Sequence, residues 1–293
     1  MSGPDRSLAN ALTFDVEEYF HAEVFAKVVR PEEWPSLESR VVDATERLLD
    51  LLAESATLAT FFVLGWVAER HSGLVRAIQA QGHEVACHGY GHRMITRLTR
   101  AELAEDLRRA KSAIEDVTGS AVIGYRAPTF SVVRETLWSL EVVAEAGFQY
   151  DSSIFPIVHD RYGIPDAPRF PHWVAAGHGR AMVEFPLSTV RGFGWRFPVA
   201  GGGYFRLLPY SVTSWALRHL NQREGQPAMV YLHPWEIDPD QPRLPVGHLA
   251  SFRHLAKSGT TAAKLRRLIR EFRFAPARNV LTDAGALMAG GAP

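Results

Sequence analysis

His88 and His92 stand four residues apart in EVACHGYGH, where a short apolar run reads as a strand opening into a tight loop. Neutral imidazoles so spaced can share one metal ion, and imidazole is a common ligand for zinc and its transition-series neighbours. Histidines of a solvated loop would satisfy the same spacing, so the pair gains weight only from the rest of the chain. Asp15 and Glu17 end another apolar run, ALTFDV, and on an extended backbone residues two apart share a face. Two carboxylates side by side are costly unless a cation or a proton separates their charges. One metal ligand and one general base is a chemically sensible division. Arg126, Asp151 and His233 end three more such runs, AVIGYRAP, FQYDSS and AMVYLHPWE.

The elements that must carry these residues follow a rhythm. An amphipathic helix is expected over 40–53, a buried strand at TLATFFVLG, a helix over 74–81 stopping at Gly82, and the strand that delivers the histidines. Thr99 and Glu102 form a capping-box pattern before a helix that stops at Gly119, and another helix over 133–146 stops at Gly147. Three times the chain runs helix, glycine, strand and then a polar residue at the strand's far end, as parallel βα units do. Asp15, Glu17, His88, His92, Arg126, Asp151 and His233 all fall at strand C-termini, which converge on one rim in a barrel of parallel strands. Glu18, pointing the other way, is given no chemistry.

Between 154 and 205 the pattern weakens into a stretch rich in proline, glycine and aromatics, read as an irregular insertion over the site. Trp195, Tyr204 and Phe205 could stack on sugar faces there, although core packing is the commoner fate of such side chains. A strand near 182–185, a helix over 209–221 and a basic helix over 261–272 complete the expected elements. The whole chain, 1–293, reads as one domain with a helical extension around 240–280.

Composition excludes several classes. The 293 residues are 46% hydrophobic and 22% charged, and 32 Lys and Arg balance 32 Asp and Glu, so nothing marks a nucleic-acid partner. Cys87 is the only cysteine, which excludes an intrachain disulfide and fits a reducing compartment. The N-terminus lacks the pattern of a secretory signal, and no apolar run approaches the ~20 residues needed to cross a bilayer. A soluble, cytoplasmic protein is expected, with its oligomeric state open.

The motifs TFDVEEYF, HGYGH, YRAPTFS, YDSSIFP and YLHPWE, in that order, resemble the NodB-homology polysaccharide deacetylases, carbohydrate esterase family four. The likeness is greatest to the signal-less subgroup associated with exosortase and exopolysaccharide clusters. It covers roughly residues 8 to 275 and implies an α/β fold, a distorted parallel (β/α)7-type barrel. Carried over, Asp15 matches the general base and Arg126 the arginine that holds it. His88 and His92 match the metal-binding histidines, His233 the general acid, and Asp151 the acid that orients His233. Where many members have two adjacent aspartates, this chain has Asp-Val-Glu, so the metal carboxylate is Glu17, in agreement with strand parity. The resemblance implies a divalent ion, zinc by default, with cobalt, nickel or manganese as alternatives. Substrate contacts are expected from Thr129, whose backbone N–H could meet the oxyanion, and from Tyr231, Trp235 and Tyr204. Tyr231 replaces a common leucine and could reshape the acetyl pocket.

The implied reaction is hydrolysis of the N-acetyl group of an N-acetylhexosamine in a glycan, free or lipid-linked, with peripheral membrane contact left open. Two alternatives stand beside it: a small-molecule amidohydrolase of the allantoinase-like type, and a catalytically silent glycan-binding protein. A paired-carboxylate glycosidase is disfavoured, because its carboxyls must flank a glycosidic bond at ~5 Å or more, whereas Asp15 and Glu17 share one strand face.

Overall fold

A computed structural model of the chain describes residues 8–177, 179–199, 201–242, 244–245 and 258–288. Its strands are β1 (Asn10–Val16), β2 (Thr60–Val63), β3 (Glu84–Cys87), β4 (Gly124–Tyr125), β5 (Tyr150–Asp151), β6 (His172–Ala175), β7 (Ala181–Glu184), β8 (Thr189–Gly192), β9 (Trp195–Pro198), β10 (Met229–Leu232) and β11 (Phe274–Ala275). In the main sheet the order β10-β1-β2-β3-β4-β5-β7 is parallel throughout, and β6 adds an antiparallel edge. The sheet curls into the expected barrel. After β7 the chain runs back along the far edge of β10, where Met229 N–H donates to Ser188 Oγ at 2.7 Å and Gly201 bridges Tyr231.

The strand sequences are continuous apolar runs because both faces are covered. Phe61 and Phe62, adjacent on β2, are both fully buried yet belong to different clusters. Phe62 joins Ala86, Tyr150, Val183 and Met229 inside the curl, while Phe61 packs outward with Phe14, Leu48 and Leu52. The outer layer is built from α1 (Val41–Ala53), α2 (Gly65–Arg70), α3 (Ser72–Ala80), α4 (Arg100–Thr118) and α5 (Ser139–Glu145). The capping box of Thr99 and Glu102 opens α4, and Gly119 at φ 62° closes it. Glu18 has a structural task, accepting from the N–H groups of Arg40 and Val41 at 2.9 and 3.2 Å where α1 begins.

Three expectations need correction. The helix expected over 133–146 is interrupted: Thr136 Oγ1 accepts from Val133 N–H and closes a separate turn, so α5 starts only at Ser139. The stretch 154–205 is less irregular than its composition suggests, since it contains β6 to β9, and β7 extends the parallel sheet. The C-terminal extension consists of helices Ser258–Glu271 and Ala277–Asp283 flanking β11. Residues 246–257, with His248 and His254, lie outside the described residues, as does His178.

The barrel's two mouths have separate tasks. At the N-terminal mouth Thr60 Oγ1 and Glu84 receive the N–H groups of Ala277 and Arg278 at 2.7 and 3.1 Å, so the last helix plugs that end. The C-terminal mouth is left for the site. No helix among the described residues is long and apolar enough to cross a membrane.

His83 offers a test of the fold. Its buried Nδ1 accepts from Ala59 N–H at 3.2 Å, and burial lowers its pKa from 6.5 to about 4. The unfolded chain therefore takes up this proton first, and stability falls as pH drops through the interval from 6.5 to about 4. His83→Asn, which keeps an acceptor without a titrating ring, is expected to flatten the pH dependence of the urea midpoint in that interval.

Candidate metal and acid–base site

Asp15 and Glu17 leave the end of β1 on one face, as alternation requires. Asp15 Oδ1 accepts from Arg126 at 2.6 Å. Arg126 itself is 0% exposed and spends its other donors on Thr13 Oγ1 at 2.8 Å, Ser152 Oγ at 3.0 Å and the Ser152 carbonyl at 3.1 Å. Its guanidinium lies 4.1 Å above the Phe62 ring centroid. A buried charge is tolerable when paired and fully hydrogen-bonded, and this one is both.

Glu17, His88 and His92 form the second group, each offering a ligand atom within 4.8 Å of the others. Glu17 Oε2 is buried without a hydrogen-bond partner, 2.7 Å from His92 Nε2 and 3.9 Å from His88 Nε2. Its other oxygen accepts from Trp235 Nε1 at 3.3 Å. His88 Nδ1 lies 2.8 Å from the Arg126 carbonyl, which can only accept, so the proton is on Nδ1 and the Nε2 lone pair faces Glu17. Burial lowers the His88 pKa to about 4, keeping the ring neutral as a ligand must be. Burial pushes the Glu17 carboxyl up, but His92, His233 and His88 outweigh it and hold it well below the usual carboxylate range. A buried carboxylate oxygen close to two imidazole nitrogens, one of them on a ring that burial keeps neutral, fits a divalent cation. His21 backs this group, its ring 14° from parallel to His92 at 6.2 Å, with Trp34 and Trp66 around it.

His233 enters from β10. Its Nε2 is 3.9 Å from Asp15 Oδ2 and 3.7 Å from Glu17 Oε1. Burial would lower its pKa, but Glu236, Glu17 and Asp15 together raise it from 6.5 to about 8. The expected partner, Asp151, is not beside it. The Asp151 carboxylate accepts from Ser153 Oγ at 2.6 Å and Ser153 N–H at 3.2 Å. It shares a further hydrogen bond with Glu184, its neighbour in register on β7. Burial drives both carboxyls up, Glu184 further because Asp151 faces it. The residue that holds His233 is Glu236: Oε1 lies 2.9 Å from Nδ1 and accepts the His233 N–H at 3.0 Å, while Oε2 pairs with Arg206 at 2.8 Å. The signal was present in the motif HPWE, because a residue three beyond a helix cap returns to it.

Both groups open into one cavity of about 980 Å³, walled by Ala22–Lys27 on one side and by Asp160–Tyr162 with Gly202 and Gly203 on another. Thr129, Tyr231 and Trp235 line it. Thr129 has φ 56° in the first turn of a short helix, where no intrahelical carbonyl reaches its N–H. Tyr231 is accommodated by the glycine run, since a Cβ on Gly201 would lie 2.2 Å from its ring. Tyr204 does not line the cavity; it packs edge-on to Phe155 and hydrogen-bonds Tyr162, which does. Phe205 is core, and Trp195 projects to solvent.

A curled parallel sheet thus carries carboxylates, imidazoles and a buried arginine at its C-terminal rim. The family model described as polysaccharide deacetylase matches residues 9–150, and one described as a domain of unknown function (DUF3473) matches 152–282. The deacetylase model thus matches just under half of the chain, and over that stretch the chain is similar to polysaccharide deacetylases. It is 29% identical over 143 residues to the peptidoglycan deacetylase of Helicobacter pylori, covering 49% of this chain and 44% of that one. It is 24% identical over 195 residues to the peptidoglycan-N-acetylglucosamine deacetylase of Bacillus cereus, covering 62% of each. These matches thus span less than two thirds of either relative. Among solved structures, one described as a polysaccharide deacetylase from Mycobacterium smegmatis aligns over 100% of this chain and 97% of its own at TM-score 0.64 and 24% identity. An allantoinase aligns over 96% and 91% at TM-score 0.61 and 18% identity. Both establish the fold.

Replacing Arg126 by Met leaves the Asp15 charge buried without its cation. We expect a loss of about 3–5 kcal/mol, read from urea unfolding.

Proposed function

We propose that the chain is a metal-dependent N-deacetylase acting on an N-acetylhexosamine unit of a glycan, either an exopolysaccharide or a lipid-linked precursor. The observation that carries this reading is the meeting, in one cavity, of an arginine-held carboxylate, a Glu-His-His ligand set and a raised-pKa histidine. The names of the matched relatives agree with it.

Glu17, His88 and His92 would hold the cation, zinc by default, which supplies Lewis acidity for activating water and polarising an amide oxygen. Asp15, fixed through Oδ1 by Arg126, keeps Oδ2 toward the cavity and takes the proton from the attacking water. The Thr129 N–H is a donor for the developing oxyanion. His233, protonated and held through Nδ1 by Glu236, directs Nε2 inward and gives its proton to the amine as the C–N bond breaks. Acetate and a free amine leave. The cavity lies near the upper end of the ~300–1,000 Å³ usual for small-molecule pockets, which favours a sugar chain over a small amide.

Acetate release from chito-oligosaccharides by zinc-loaded protein should be readily measured, and Asp15→Asn and His88→Ala should each lower it by ~10²-fold or more. Activity that survives both changes would refute the mechanism. Glu236→Gln retains an acceptor for Nδ1 but not the charge, and is expected to lower kcat less than Glu236→Ala does, with KM nearly constant in both.

A further inference from the structure

β8 and β9 form a two-stranded sheet that pairs with no other strand. Its turn is Phe193-Gly194, with φ of 51° and 80°. Positive φ at both central residues defines the primed hairpin turns, where Asn, Asp or Gly normally take the first position because a larger side chain is strained there. Here the strained position holds a phenylalanine that is 100% exposed. No packing offsets that cost, so the ring is presented outward.

The hairpin is two-faced. Trp195 and Phe197, two apart on β9, are 64% and 47% exposed and share one face with Gly192, over which the Phe197 ring lies. Arg191 and Arg196 are register partners on the other face. Burial lowers the Arg196 pKa, and Arg191 and Arg169 press it the same way while Asp166 opposes them; Arg169 is buried and paired with Glu224 at 2.6 Å. From Phe185 to Arg223 the chain contains no Asp or Glu and five arginines. Phe193, Trp195, Phe197, Leu207 and Trp215 in that stretch are five of the eleven large apolar side chains exposed among the described residues.

We propose that the hairpin 189–198 is a peripheral anchor for an anionic lipid bilayer. Phe193, Trp195 and Phe197 enter the interfacial layer, while exposed Arg191, with half-buried Arg196 beside it, meets the phosphates beneath them. Rings that are apolar on their faces and wet at their edges favour that layer, and basic residues near it gain about 1 kcal/mol each at an anionic surface. Within the hairpin itself, 189–198, there are two arginines and no acid, the charge that an anionic surface requires beside the aromatic tip. The hairpin leads through Val199 into Gly202 and Gly203 of the cavity wall, so docking would bring the cavity close to the headgroups. This inference is independent of the chemistry proposed for the site.

The test is co-sedimentation of the full chain with vesicles of phosphatidylcholine alone or with one quarter phosphatidylglycerol. Binding to the anionic vesicles at least tenfold tighter than to the neutral ones, reduced at least tenfold by Phe193→Ser/Trp195→Ser and by Arg191→Glu, supports the anchor. Thermal unfolding of the variants should match the wild type, because these side chains are exposed. Binding unchanged in the tip variant overturns the proposal. So does an absence of sedimentation with both vesicle types, or self-association that the tip changes abolish while no vesicle is bound.

Discussion

The ion pair of Arg126 with Asp15 is the constraint around which this barrel is assembled. A guanidinium taken out of water is affordable only if every neighbour supplies an acceptor, and here those acceptors come from β1 and the segment after β5. The arginine therefore fixes the relative height of strands that are distant in sequence. Its own carbonyl sets the tautomer of His88. One residue thus fixes the Asp15 carboxylate and the orientation of the His88 ring, and displacing it would disturb both together.

The two halves of the chain are physically interdependent. The part matched by the deacetylase family brings Asp15, Glu17, His88, His92 and Arg126, while the part matched by the domain of unknown function brings Arg206, His233, Trp235 and Glu236. β1 pairs with β10 along four residues, which carries His233 to the rim beside Asp15. Trp235 then reaches back to Glu17 and donates to Oε1, leaving Oε2 to His88 and His92. Neither part encloses the cavity by itself.

A local exchange accompanies this arrangement. Tyr231 is larger than the leucine common at its position, and its ring occupies the space where a side chain on Gly201 would stand. Glycine at 201 and 202 leaves room for that ring, so the shape of the cavity there follows from one bulky side chain set against two absent ones.

Sequence alone determined the parallel strands of the main sheet and most helices, because continuous apolar runs, a capping box and terminal glycines are local signals, whereas β6, β8, β9 and β11 lie where no such signal stands out. Strand parity and strand-end position also placed Asp15, Glu17, His88, His92, Arg126 and His233 at one rim, while the pairing of Asp15 with Arg126 was implied by the motif resemblance and is seen in the structure. Tertiary structure alone decided which acid faces His233. Asp151 and Glu236 both lie near strand ends, but the β5–β7 register turns Asp151 toward Glu184, whereas a single turn after His233 folds Glu236 back onto the imidazole. The fate of the aromatics was equally beyond local reading, because Phe205 in the core and Trp195 in solvent differ only in what the surrounding chain brings against them.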